Sequence, residues 1–372
     1  MTLPFGNGER PLVGYPQKRP LIRLTSRPPQ LETPFAVFDG GLITPNDAFF
    51  VRYHLSGNTP PQDLDPETYR LAVKGAVRTP LSLSLAELKA MPAKELVAVN
   101  QCSGNSRGFS KPRVAGGQAA HGLMGNARWH GVTLKSVLDR ADIAAGAVQV
   151  SFNGLDEPAA PDTPDFTKAL DLDHARDGEV MLAWAMNGSE LPMLNGFPLR
   201  LVVPGTYGTY WVKHLHEITV LEKPSDSFWM TSAYRIPDND CACVPPGAAA
   251  PKTRPIGRYN VRSFITSPPE AGKVVAGQET AVRGIAFDGG SGIARVEVSA
   301  DAGQHWTEAR LGEDLGKYSF RGFEVALRLQ AGMHRLMSRA TSRDGSTQPM
   351  EPRWNPPGYM RNVVETVTVV AA

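Results

Sequence analysis

The chain has 372 residues, 41% of them hydrophobic and 20% charged, with a formal charge of +2. That length suffices for about two domains with real cores, and so small a net charge gives no argument for nucleic acid as a partner. There is no run of about 18 apolar residues, so no helical membrane span is expected.

Residues 1–40 are rich in proline and read as an extended arm that wraps a folded body rather than building a core. Residues 1–20 hold no apolar signal core. The protein is therefore either cytoplasmic or periplasmic with its signal peptide removed, and the periplasmic reading is the expectation adopted. Phe49-Phe50-Val51-Arg52-Tyr53-His54 is expected to form a strand, and residues 69–73 another by their alternation. Ser84-Leu85-Ala86-Glu87 is a capping box opening a short helix that Pro92 closes. Residues 133–141 read as a second helix, and the apolar runs 148–152, 180–184 and 199–203 as buried strands. The Pro/Gly/Ala stretch 245–255 reads as a linker. Beyond it, short alternating segments such as Arg295-Val296-Glu297-Val298-Ser299, with turns at Asp288-Gly289-Gly290-Ser291-Gly292 and Asp301-Ala302-Gly303, predict an immunoglobulin-like β-sandwich.

Chemistry concentrates in three clusters. In Asn100-Gln101-Cys102-Ser103-Gly104-Asn105-Ser106-Arg107-Gly108 a cysteine leaves an apolar run and enters a turn of small and amide residues. That setting suits a thiolate that binds a metal or attacks a substrate; taken alone, it fits a buried structural thiol equally well. Arg52 and His54, two apart on one strand, would share a face, whether as a functional wall or as the polar side of a half-exposed strand. The third cluster runs from Asn195-Gly196-Phe197-Pro198-Leu199-Arg200 to Val212-Lys213-His214, where glycines and two cations suit a phosphate without the spacing of a P-loop. Three cysteines cannot supply a disulfide framework, and Cys241-Ala242-Cys243, lacking a second ligand pair, is read as non-functional.

Taken together, these motifs resemble the sulfite oxidase family of molybdenum enzymes over residues 40–372. The cysteine loop, Phe50-Val51-Arg52-Tyr53-His54, and Gly196-Phe197-Pro198-Leu199-Arg200 with Pro204-Gly205 and Val212-Lys213 match that family in the right order. Arg339-Ala340-Thr341-Ser342-Arg343-Asp344-Gly345 and Trp354-Asn355 are similar to its second domain. The resemblance implies an α+β chain: an arm (1–40), a mixed α/β molybdopterin-binding domain (41–244), a linker (245–261) and an immunoglobulin-like, dimerisation-type sandwich (262–372). It implies molybdenum with molybdopterin as cofactor and Cys102 as metal ligand. Phe50, Val51, Arg52, Tyr53, His54, Asp156, Asn195, Arg200, Trp211, Val212 and Lys213 would hold the pterin. Tyr234, Arg52 and Arg107 would act on the substrate.

Four positions depart from the animal enzymes. Asn195 replaces a pterin-binding histidine, His214 a tryptophan, Ala119 a substrate-pocket tryptophan, and Tyr318 stands where a further substrate arginine is expected. They move the chain toward the bacterial sulfite dehydrogenases. The activity implied is oxidation of sulfite to sulfate by oxo transfer. With no Cys-x-x-Cys-His haem site in the chain, electrons would pass singly to an external c-type cytochrome. The readings set against it are a molybdenum-dependent reductase of protein methionine sulfoxide, a non-enzymatic surface protein built on the β domain, and a cysteine hydrolase with His54 or His121 as base.

Overall fold

The computed structural model describes residues 8–61 and 64–372. Local signals behave as their chemistry demands. Ser84 Oγ accepts from Glu87 N at 3.2 Å while the Glu87 carboxylate accepts from Ser84 N at 2.8 Å, starting the helix Leu85–Lys89. Thr133 Oγ1 accepts from Ser136 N at 3.2 Å and starts Leu134–Ala141, which buries Leu134, Val137, Leu138 and Ala141 along one side.

Two five-stranded sheets build the first domain. One runs in the order Thr167–Asp171, Gln149–Gly154, Leu215–Leu221, Arg70–Gly75, Leu81–Ser84, with Leu215–Leu221 and Arg70–Gly75 parallel. The other runs Ser189–Glu190, Met181–Met186, Met124–Thr133, Ala93–Gln101, and Arg200–Val202 also pairs with Met181–Met186. Buried strands here read as apolar runs because both faces are covered, as at Met181, Leu182 and Ala183, all fully buried.

The C-terminal domain is a sandwich of a four-stranded sheet (Arg262–Ser267, Glu279–Phe287, Arg321–Arg328, Arg310–Leu311) and a five-stranded one (Gly272–Val274, Thr366–Ala371, Gly332–Ser342, Ile293–Ser299, Thr307–Glu308). Val282, Val296, Leu336 and Val369 fill the space between them. Its other side joins the first domain's core through Phe264, Ile285, Phe287 and Phe320. Tyr318 O accepts from Val99 N at 2.9 Å, and Tyr259 Oη bridges Gln101 N and Val99 O at 3.0 Å each. The second domain therefore grips the strand that ends in Cys102.

Three expectations need correction. Residues 12–32 are not an arm without a core. Leu12–Tyr15, Lys18–Ser26 and Pro29–Glu32 pair in sequence and then with Val51–Arg52, and Leu21 and Leu31 pack with Val51, Tyr53 and Leu194. The strand expected over 49–54 shrinks to Val51–Arg52, because the residues that follow turn toward the site. The stretch read as a linker carries the strand Thr253–Pro255, paired antiparallel with Arg235–Pro237. Among the described residues no helix is long and apolar enough to cross a membrane.

Candidate active site

Cys102 lies one residue past the strand Ala93–Gln101, at the point where the chain leaves the ladder and folds back. Its N–H donates to Leu123 O at 2.9 Å and its carbonyl accepts from Asn105 N at 3.0 Å, while Asn105 Oδ1 takes Leu123 N at 3.0 Å. Ser106 sits in the left-handed region at φ 68°, which turns the chain toward Arg107. The C-terminal domain closes the loop from outside: Met360 N donates to Ser103 O at 3.0 Å and Arg262 donates to Ser106 Oγ at 2.6 Å.

Cys102 opens into a pocket lined by Phe50, Arg52, His54, Asn195, Arg200, Trp211, Lys213 and Tyr234, with Phe49, Asn100, Ser103, Leu194, Gly208 and Thr209 completing the walls. The three separated clusters thus meet. A Cβ at Gly208 would come within 2.4 Å of Asn100 Oδ1, so glycine is required where that backbone crosses the wall. Val51, Tyr53 and Val212 are buried behind the wall, and Tyr53 hydrogen-bonds His214 Nε2 at 2.7 Å. Asp156 is outside the lining as well; it acts on Lys213, and its carboxyl is pushed up to about 6, chiefly by burial and against the pull of Lys213.

One end of the pocket is strongly cationic. Arg200 lies over the rings of Trp129 and Trp211, its carbon 4.8 and 5.6 Å from their centroids, and donates to Asn195 O at 2.8 Å. Burial lowers Arg200 to about 9 and, with Arg200, Arg52 and Lys18 nearby, drives Lys213 well below its ordinary value. Sequence reasoning missed Lys18. This buried lysine from the N-terminal sheet donates to Asn195 Oδ1, to Asn46 O at 2.5 Å and to Phe49 O at 3.0 Å. Burial lowers it to about 7.

Tyr234 stands at the other end. Its φ of 56° is uncommon for a bulky residue, and Ile256 N holds its carbonyl at 2.9 Å. Its phenol is hydrogen-bonded to His54 Nε2, and His54 stacks on Phe166 with centroids 3.7 Å apart. Burial, with Arg52, Lys213 and Lys168 beside it, pulls His54 far below the usual imidazole value, so the ring is neutral; burial raises the Tyr234 phenol, which keeps its proton.

Arg107 stands beside this pocket rather than among its lining residues. Its guanidinium lies 4.9 Å from the ring centroid of Tyr359, and a Cβ on Gly116 (φ 99°) would fall 2.2 Å from one of its nitrogens. Tyr318 is not the residue that the second domain brings to the site. Its hydroxyl donates to Glu179 in a cleft with Arg258 and Lys317, away from Cys102. Tyr359 is that residue, stacked on Tyr234 at 5.3 Å and 6°, and no spacing in the sequence marked it. Ala119 is fully buried, its carbonyl taken by Gly108 N at 3.0 Å. The other two cysteines, Cys241 and Cys243, are bridged to each other by a disulfide.

Residues 56–229 match the oxidoreductase molybdopterin binding domain, and residues 253–371 the Mo-co oxidoreductase dimerisation domain. Sulfite oxidase of Gallus gallus is 34% identical over 378 residues, covering 97% of this chain and 79% of that protein. Mitochondrial sulfite oxidase of Mus musculus is 35% identical, covering 96% and 67%. The sulfane dehydrogenase SoxCD from Paracoccus pantotrophus superposes with a TM-score of 0.78 at 27% identity, over 92% of this chain and 84% of that one.

The pocket fits the group these matches imply. Asn100 Oδ1, Ser103 Oγ, Thr209 Oγ1 and Arg200 Nε line it, are buried, and have no hydrogen-bond partner among the described residues. Each such group costs about 1–3 kcal/mol if left unmade, and a polar, anionic ligand satisfies both the orphaned atoms and the crowded cations. A soft thiol stands opposite, suited to a metal that takes sulfur. Fold, pocket chemistry and sequence agree: the chain belongs to the sulfite oxidase family of molybdenum–pterin enzymes.

Proposed function

We propose that the protein oxidises sulfite to sulfate and passes the electrons one at a time to an external c-type cytochrome. The observation that carries this reading is Cys102 opening into a pocket that holds Arg52, His54 and Tyr234, in a chain 34% identical to a sulfite oxidase. When bound, the molybdenum–pterin group supplies oxygen-atom transfer and takes up two electrons. Everything else falls to the protein. Cys102 would be the sulfur ligand. Arg200 and Lys213, backed by Lys18 through Asn195, would hold the anionic part of the pterin, and Phe50, His54 and Trp211 line the same pocket.

Arg52 holds the substrate oxyanion from within the pocket, and Arg107 adds positive charge from beside it, in a site shielded from water. Tyr234 keeps its proton at neutral pH, and with the His54 proton on Nε2 the imidazole donates to the phenol oxygen. The Tyr234 O–H is then free to donate to a substrate oxygen. The Cys241–Cys243 disulfide supports an oxidising compartment, and so the periplasm. The dimerisation-type domain supports a homodimer.

The test is sulfite-dependent reduction of cytochrome c by protein whose molybdenum has been quantified, with no haem absorbance in the protein itself. Fully loaded protein that leaves the cytochrome oxidised in the presence of sulfite overturns the reading. Likeness to SoxCD favours a second reading, oxidation of sulfane sulfur. A kcat/KM for thiosulfate above that for sulfite would select it.

A further inference from the structure

We propose that Tyr359, delivered by the C-terminal domain, is a positioning residue of the substrate pocket that sets Arg107 and Tyr234 for a small sulfur oxyanion. The proposal rests on the sulfite reading above and deepens it.

The geometry is specific. The Tyr359 ring lies nearly parallel to Tyr234, centroids 5.3 Å apart, and the Arg107 guanidinium lies 4.9 Å from the centroid of the same ring. One side chain from the second domain therefore touches both substrate-directed groups of the first. Tyr359 is itself held: Asn355 Oδ1 accepts its N–H and Asn355 Nδ2 donates to its carbonyl, each at 2.9 Å. The flanking residues lock the turn. Gly358 (φ 62°) has no room for a Cβ, which would meet Val114 at 2.4 Å and the Arg107 stem at 3.1 Å. Met360 (φ 61°) donates to Ser103 O in the cysteine loop at 3.0 Å, and Asn260 Nδ2 holds its carbonyl at 3.1 Å. Positive φ values on both sides of Tyr359, one of them on a bulky residue, are a conformation that the surroundings must impose.

Placement adds a second observation. Tyr234 and Tyr359 both line an open groove with Arg113, Val114, Trp354 and Pro356, and Tyr234 also lines the inner pocket of Cys102. Tyr234 thus stands between the groove and the inner pocket, with Tyr359 stacked against it in the groove wall. A cation lying on a ring gains orientation from it, and a stacked ring restricts its neighbour's rotation. Arg107 Nε is buried with no hydrogen-bond partner among the described residues, and the guanidinium is held between the close backbones of Gly104 and Gly116 on one side and Tyr359 on the other.

The experiment uses the molybdenum-loaded protein and sulfite. In Tyr359→Leu, KM for sulfite is expected to rise about tenfold and competitive inhibition by sulfate to weaken in parallel, with kcat falling less than threefold and molybdenum content unchanged. Tyr359→Phe, which keeps the ring, should recover most of that shift. Because Tyr359 acts through Arg107, adding Tyr359→Leu to Arg107→Gln should raise KM by less than twofold more. Should the leucine variant fold poorly, Tyr359→Met, whose unbranched flexible side chain adapts to the space the ring leaves, replaces it in the same cycle. A wild-type KM in the ring-less variant, a phenylalanine variant as impaired as the leucine one, or additive effects with Arg107→Gln would each overturn the proposal. If wild-type protein is inactive with sulfite, the underlying reading has failed. If wild-type is active and Arg107→Gln raises KM while Tyr359→Leu does not, only this proposal has.

Discussion

The two ends of the Cys102 pocket are built on opposite plans. The cationic end is made by the first domain alone, from Arg200 and Lys18, both buried, and the half-buried Lys213, pressed together at a cost in charge. The tyrosine end is a seam between domains, where Tyr234 meets Tyr359 and Arg107 across the boundary. A permanent tenant justifies crowding cations together, because its own charge neutralises them for the life of the protein. A transient substrate is better served by groups already held in place by packing, at no new cost each time it binds and leaves.

Removing the ligand atom that both ends face should have the largest effect. Cys102→Ser substitutes a hard hydroxyl for a soft donor, and turnover is expected to fall at least ~100-fold. The melting temperature should stay near wild type, since the cationic end is intact. Retained turnover would break the comparison at its centre.

Lys213→Met tests the cationic end. Bound molybdenum and pterin should fall severalfold, whereas apoprotein should melt higher than wild-type apoprotein, because an amine crowded by Arg200, Arg52 and Lys18 is gone. The opposite signs are the signature of a site strained for a tenant. A drop in both would mean that Lys213 serves the fold.

Tyr234→Phe probes the tyrosine end. Its hydroxyl is proposed to touch a substrate oxygen, so kcat/KM should fall by roughly ten- to a hundredfold, about 1–3 kcal/mol, with the cofactor retained. Loss of cofactor instead would erase the distinction between the two ends.

The smallest effect is in pH. Burial lowers Lys18 and Lys168 to about 7 and lowers Lys213 as well, while unfolded lysines titrate near 10.5. Between those values the unfolded chain binds more protons than the folded one, so apoprotein stability should rise from pH 7 toward pH 10. The bound anion raises the folded values of Lys18 and Lys213, so the loaded protein should show a flatter profile over the same range. Calorimetry on both forms measures this.

What the sequence disclosed divides along the same seam. The cysteine loop, Arg52, His54, Arg200 and Lys213 were visible because each sits in a short motif whose residue types already carry the chemistry. The capping box at Ser84 and the Thr133 cap were visible because their bonds span three residues. Lys18 was not, since its bond to Asn195 spans 177 positions and the prolines around it argued against a sheet. In fact Pro20 lies within a strand and Pro29 begins the next, while alternate residues Leu21 and Leu31 go inward. Tyr359 was hidden for the same reason. Nothing in Pro357-Gly358-Tyr359-Met360 announces which domain it will touch, and Tyr318, the residue first assigned that place, turns to Glu179.

The Cys241–Cys243 bridge encloses one residue, so it restricts the denatured chain less than a long-range cross-link and adds little to global stability by that route. Its effect is local. Ala242, held between the two cysteines at φ 48°, presents its carbonyl to Asn355 at 3.4 Å, and Val244 N donates to Trp354 O at 2.9 Å. Asn355 is the residue that clamps Tyr359. A staple too short to matter for the folding equilibrium thus spends its constraint on a single side chain, so reducing it should barely move a melting curve yet loosen the ring against which Arg107 rests.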